Sequence, residues 1–180
     1  MKSAGLMSAP LLALCFGYAP VAMADETADL IASAVSAGPA AVTADAVVYG
    51  FAADGSMMTL HEGSNGWWCL PNDPSTPTED PMCGDANAMD WLMAYVGKTE
   101  PTPGKVGFIY MLQGGSGASN TDPYLTAPAD GKWLIDGPHV MVLNATEMMA
   151  GYTGGPNPDP TKPYIMWEGT PYAHLMIPVQ

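Results

Sequence analysis

The residue pattern predicts an α+β domain, built on a mainly antiparallel sheet with a few short helices and long Pro/Gly-rich loops. Three observations carry this. Short β-branched and aromatic runs are separated by polar turns rather than by regular long helices, which disfavours a doubly wound parallel sheet. Pro (18) and Gly (20) are spread along the 180 residues and favour short elements. Sustained helical spacing of apolar residues is confined to two stretches, and no solenoid-type repeat is visible.

In chain order, the first feature is a targeting segment. Lys2, the apolar run "LMSAPLLALCFGYAPVAM" and the small-x-small "AMA" at 22–24 have the layout of an export signal over residues 1–24. Pro10, Gly17 and Pro20 interrupt the run, against a membrane anchor, and Leu14 before Cys15 is too large for a lipoprotein cleavage site. No other run approaches the ~20 apolar residues of a membrane span. Residues 25–180 are then expected to form one exported domain, periplasmic or secreted.

"ETADLIASAVSAG" has helical spacing and stops at Gly38-Pro39, with another turn expected in "PAAVTAD". "AVVYGF" and "SMMTLHEG" flank Asp54-Gly55, a hairpin signal over 46–62. "SNGWWCL" reads as a turn into Trp67 and Trp68. Cys69 and Cys83 then bracket the polar loop "LPNDPSTPTEDPM". With Cys15 removed with the signal, an even pair in an exported chain predicts one disulfide, worth about 3 kcal/mol for a loop of ~15 residues. A redox or metal role for this pair lacks the close spacing such sites use. "DANAMDWLMAYVGK" follows as the clearest helix. Asp85 is placed to cap its start and Gly97-Lys98 its end, with Met89, Leu92, Met93 and Val96 expected on the apolar face.

The second half reads as strands: "KVGFIYMLQ" (105–113), "KWLIDGPHVMVLN" (132–144) turning at Asp136-Gly137, "PYIMWEG" and "TPYAHLMIPV", with a short helix in "ATEMMAGY".

Charge excludes some partners. All 18 Asp and Glu lie after residue 24, where four Lys and no Arg remain, leaving a formal charge of −14. Phosphates and anionic membrane surfaces repel such a chain, so neither nucleic acid nor membrane is an expected partner; a small molecule or a metal ion is.

"LHEGSNGWWCLPN", "YMLQGGSGASNTDPY", "GPHVMVL" and "MWEGTPYAHLMIPV" together resemble a family of small exported bacterial proteins to which no activity is attached. The resemblance spans most of the mature chain. It implies one exported domain and a bacterial source, and brings no cofactor or catalytic residue.

The chemistry must come from the residues. "PHVMV" (138–142) and "AHLMI" (173–177) share a His-x-Met pattern. Strand alternation puts His139 and Met141 on one face, and His174 and Met176 on one face of their own strand, opposite Leu175 and Ile177. If the strands are neighbours in register, two imidazoles and two thioethers meet. That set is soft and suits copper, especially Cu(I). The competing reading is plain packing, each His satisfied by a backbone or carboxylate partner. A three-histidine zinc site would also need His61, expected at the surface.

Two further readings stay open. Gln113, Asn120, Asp122 and Trp167 offer polar groups and an apolar wall for a small ligand. "GGSGA" at 114–118, with Asp122, Asp130 and Asp136 followed by His139 and His174, has the residue order of a serine hydrolase around Ser116. The loop composition after it is wrong for the helix a nucleophile elbow requires, and a glycine-rich turn is the alternative. The oxygen-rich loops "NTDPY" and "NPDPTK" lack calcium-loop spacing.

Overall fold

The computed structural model describes residues 21–179, with side chains from residue 26 onward. The predicted signal at 1–24 lies almost wholly outside them. Ten strands and a few short helices form a single α+β domain, with eight strands in one sheet and two in a small second sheet. Helix α1 (Val21–Val35) and the single turn α2 (Ala40–Thr43) lead into the hairpin β1 (Val47–Phe51) and β2 (Met57–His61). Gly55 takes φ +81 in the hairpin turn, and Asp54 Oδ1 accepts from Ser56 N, as the Asp-Gly signal leads one to expect.

The strands β3 (Trp68–Leu70) and β4 (Met82–Gly84) follow. They are only three residues long, and the sequence pattern does not announce them. Cys69 and Cys83 are direct cross-strand partners and are joined by a disulfide, with Cα atoms 4.1 Å apart. The predicted staple is therefore real, and it lies inside the sheet rather than at a loop base. The polar loop it closes is ordered by buried Asp80, whose carboxylate accepts from Asp73 N (2.9 Å) and Thr76 Oγ1 (2.6 Å), while Asp80 N donates to Asn72 Oδ1 (2.8 Å).

Next come α3 (Ala86–Val96), β5 (Gly107–Met111), β6 (Gly115–Gly117), β7 (Leu134–Asp136), β8 (His139–Leu143), a 3-10 turn at Thr146–Met149, β9 (Tyr164–Met166) and β10 (His174–Pro178). The large sheet runs β2-β1-β3-β4-β5-β8-β10-β9, and among the described residues only the β1–β3 pair is parallel. β6 and β7 form the second sheet. The segment 132–144 thus changes sheets at Gly137-Pro138, beside the turn expected at Asp136-Gly137.

Both faces of the large sheet are covered. One carries α1 over Val48, Cys69 and Cys83, with Val142, Ile165 and Leu175 as a neighbouring cluster around Met149. The other carries α3 over the largest core, which includes Trp68, Ile109, Met141, Leu143, Tyr164, Met166 and Met176. Asp85 caps α3 by accepting from Ala88 N at 2.8 Å. The buried stripe of α3 is Ala88 and Trp91, with Tyr95 partly buried one turn on; Met93 and Val96, expected inside, are exposed. The reason is steric. Ala88 sits on Gly107, where a Cβ would lie 2.5 Å from Ala88 N, and that seat turns the aromatic side chains inward.

Candidate functional site

The two His-x-Met strands are neighbours. β8 and β10 pair antiparallel with Met141 opposite Met176, His174 opposite Leu143 and Pro178 opposite His139. Cross-strand partners share a face, so both histidines and both methionines lie on the α3 side. That side is not an open polar surface: His139 and His174 are 3% and 1% exposed, and both faces of the strands are packed.

The register also spaces the histidines. They bracket the Met141/Met176 pair, four residues apart along the strand direction, or about 13 Å between their Cα positions. Around His174 stand Met166, its direct partner on β9, and the Met141/Met176 pair one row away. Beside His139 stands Met111, its direct partner on β5.

A cavity of about 200 Å³ runs between α3, the large sheet and β6, lined by His139, His174, Asp136, Trp91, Trp167 and the five methionines 82, 111, 141, 166 and 176. Each imidazole is locked by its own backbone. His139 Nδ1 lies 2.7 Å from Gly137 O and His174 Nδ1 2.9 Å from Tyr172 O. A carbonyl only accepts, so Nδ1 carries the proton and Nε2 keeps its lone pair. His174 Nε2 is buried with no partner among the described residues, which costs about 1–3 kcal/mol if nothing else meets it. Burial pushes His174 down to about 4 and lowers His139, so both rings are neutral at pH 7.

Aromatic rings wall the His174 end. Trp91 and Trp167 meet the imidazole edge-on at centroid distances of 5.4 and 5.1 Å, and are parallel to each other within 4°. Trp167 holds φ +57, a rare conformation for a bulky residue. It is kept there by Trp167 N donating to Asn120 O (2.8 Å) and its Nε1 donating to Ser119 O (3.0 Å). Such a conformer costs about 1–3 kcal/mol and persists only where its surroundings impose it.

At the other end, burial raises the Asp136 carboxyl, partly countered by Tyr164, whose hydroxyl donates to Oδ1 at 2.8 Å, and by His139. Tyr164 is itself pushed up by burial and by the Asp136 charge.

The other expected groups are placed elsewhere. Of Gln113, Asn120, Asp122 and Trp167, only Trp167 lines this cavity. Gln113 is exposed and donates to Ser36 O, Asp122 accepts from Tyr124 N in an exposed turn, and Asn120 is buried, donating to Gly155 O and Ile165 O. The "GGSGASN" block therefore positions Trp167. Ser116 lies in β6, which pairs with β7 and is followed by a loop, and among the described residues its hydroxyl has no hydrogen-bond partner, histidine or other. His61 is exposed on β2. Among the described residues no three His, Cys, Asp or Glu side chains gather to hold an ion, so any metal here must draw on thioethers.

The residues that sequence reasoning missed are Met111, Met166 and Trp91. Their signal is faint, because each meets a histidine only through a register or helix rotation that no local pattern encodes. Compared with protein-family models, curated proteins and solved structures, the chain matches none.

Proposed function

We propose that the protein is an exported binding module that takes up a soft monovalent metal ion, Cu(I), in the cavity beneath α3. His174 Nε2, Met141, Met166 and Met176 supply the ligands. The observation that carries this reading is the buried, unpartnered Nε2 of a neutral, tautomer-locked imidazole in a cavity lined by methionines. Imidazole with thioethers selects Cu(I) over harder ions. A monovalent cation leaves little net charge to desolvate, and the rings of Trp91 and Trp167 give the His174 end an apolar wall. The Cys69–Cys83 disulfide leaves no thiol among the described residues to compete and suits an oxidising compartment, and among the described residues no helix is long and apolar enough to cross a membrane.

A second reading rests on the same cavity. Trp91 Nε1 and Ser116 Oγ are also buried without partners among the described residues, which favours a small, mainly apolar molecule with one or two polar groups.

One titration separates the two. Anaerobic Cu(I) competition against a chromophoric chelator is expected to give tight binding in the wild type. His174→Gln should weaken it beyond the ~10–100-fold typical of groups that only orient a ligand. Met141→Leu/Met176→Leu, which conserves volume, should weaken it while near-UV circular dichroism stays native. Binding indifferent to all three changes would refute the metal reading.

A further inference from the structure

We infer that the cavity has two metal sites rather than one: a second ion binds at the opposite end, held by His139 Nε2, Met111 Sδ and a carboxylate oxygen of Asp136. This rests on the soft-metal reading above and extends it. Spacing argues against a shared ion. The Cα positions are about 13 Å apart along the strands with the Met141/Met176 pair between them, and each histidine has its own methionine as direct cross-strand partner, Met111 for His139 and Met166 for His174.

Three groups instead converge around Gly115. A Cβ built there would lie 3.0 Å from Met111 Cε, 3.6 Å from His139 Cε1 and 3.8 Å from Asp80 Cβ, so Gly115 lets β6 settle onto Met111 and His139. Asp136 is the cross-strand partner of Gly115. Partners point to one face, so the Asp136 carboxylate is directed toward the same two side chains. Its Oδ1 accepts from Tyr164, and Oδ2 has no hydrogen-bond partner among the described residues.

The nitrogen of His139 completes the set. His139 is buried, its Nδ1–H is spent on Gly137 O, and Nε2 has no hydrogen-bond partner among the described residues. Asp80, the other nearby acid, already accepts from Asp73 N and Thr76 Oγ1 and is left to its loop. The second site is thus one imidazole, one thioether and one carboxylate. Being harder than the His174 set, it should hold Cu(I) less tightly.

Native mass spectrometry of the full mature chain, titrated anaerobically with Cu(I), counts the ions. The expected result is two per chain in the wild type, one in His139→Gln, one in Met111→Leu/Asp136→Asn, one in His174→Gln, and none in His139→Gln/His174→Gln. The Met111→Leu/Asp136→Asn chain keeps core volume, so its loss of an ion cannot be put down to a collapsed fold if the His174 ion remains. One ion in the wild type, unaffected by the His139 and Met111/Asp136 changes, would overturn the second site and leave the first standing. One ion that requires both histidines would overturn it in favour of a shared site. No ion in any chain would bring down the soft-metal reading itself.

Discussion

His174 is the residue on which burial, hydrogen bonding and the proposed function meet. It is 1% exposed, neutral, and held by one backbone carbonyl. As the pH falls below its ordinary value of 6.5, the unfolded chain takes up a proton that the folded chain refuses until about 4. The unfolded state therefore binds more protons in that window, and stability must fall as pH is lowered from about 6.5 to about 4. The loss is on the order of 3 kcal/mol. Asp136 works in the opposite sense, since its raised carboxyl keeps a proton that the unfolded chain has already released above 3.8. Comparison with a variant isolates the histidine. Thermal unfolding of His174→Gln should show a shallower decline of Tm between about pH 6.5 and 4 than the wild type, and equal slopes would contradict the assignment.

At the scale of elements, the cavity exists because α3 and the β6–β7 hairpin roof the sheet at two glycines. Gly107 seats the first turn of α3, and Gly115 seats β6. Gly107→Ala places a Cβ 2.5 Å from Ala88 N and 2.9 Å from both Ala88 Cα and the carbonyl carbon of Asn87. All three are backbone atoms, so no side-chain rotation relieves the clash. The substitution is expected to cost about 1–3 kcal/mol, as overpacking against an immovable neighbour does. Chemical denaturation measures it, and a midpoint within error of the wild type would show that α3 is not seated this way. Much of this level is legible in the sequence. Asp54-Gly55 announces the hairpin and Asp85 the start of α3, because turn and cap chemistry is local. β3, β4 and β6 are not, since Trp68-Cys69-Leu70 is buried on both faces and shows no alternation, β4 is equally short, and Gly115-Ser116-Gly117 has no strand propensity to read.

For the whole molecule, the sheet order decides what the site can be. The His-x-Met pattern correctly puts each histidine on the face of its own methionine, because alternation follows from the strand alone. Register does not. Only the pairing of β8 with β10 and β5, and of β10 with β9, reveals that Met141 faces Met176, that His139 faces Met111 and that His174 faces Met166. For the same reason Gln113, Asn120 and Asp122 are not brought to this cavity with Trp167: Gln113 and the Asn120 amide donate to backbone carbonyls, Asp122 accepts from Tyr124 N, and Ser119 O holds the Trp167 indole. The central claim, that His174 Nε2 is a metal ligand, is tested most directly by ¹⁵N NMR of the histidine rings during titration with Ag(I), a redox-silent soft ion. The predicted result is that His174 Nε2 shifts within the first equivalent while its Nδ1–H stays bonded to Tyr172 O and His61 is unmoved. A His174 signal that does not change while only the exposed His61 responds would contradict it.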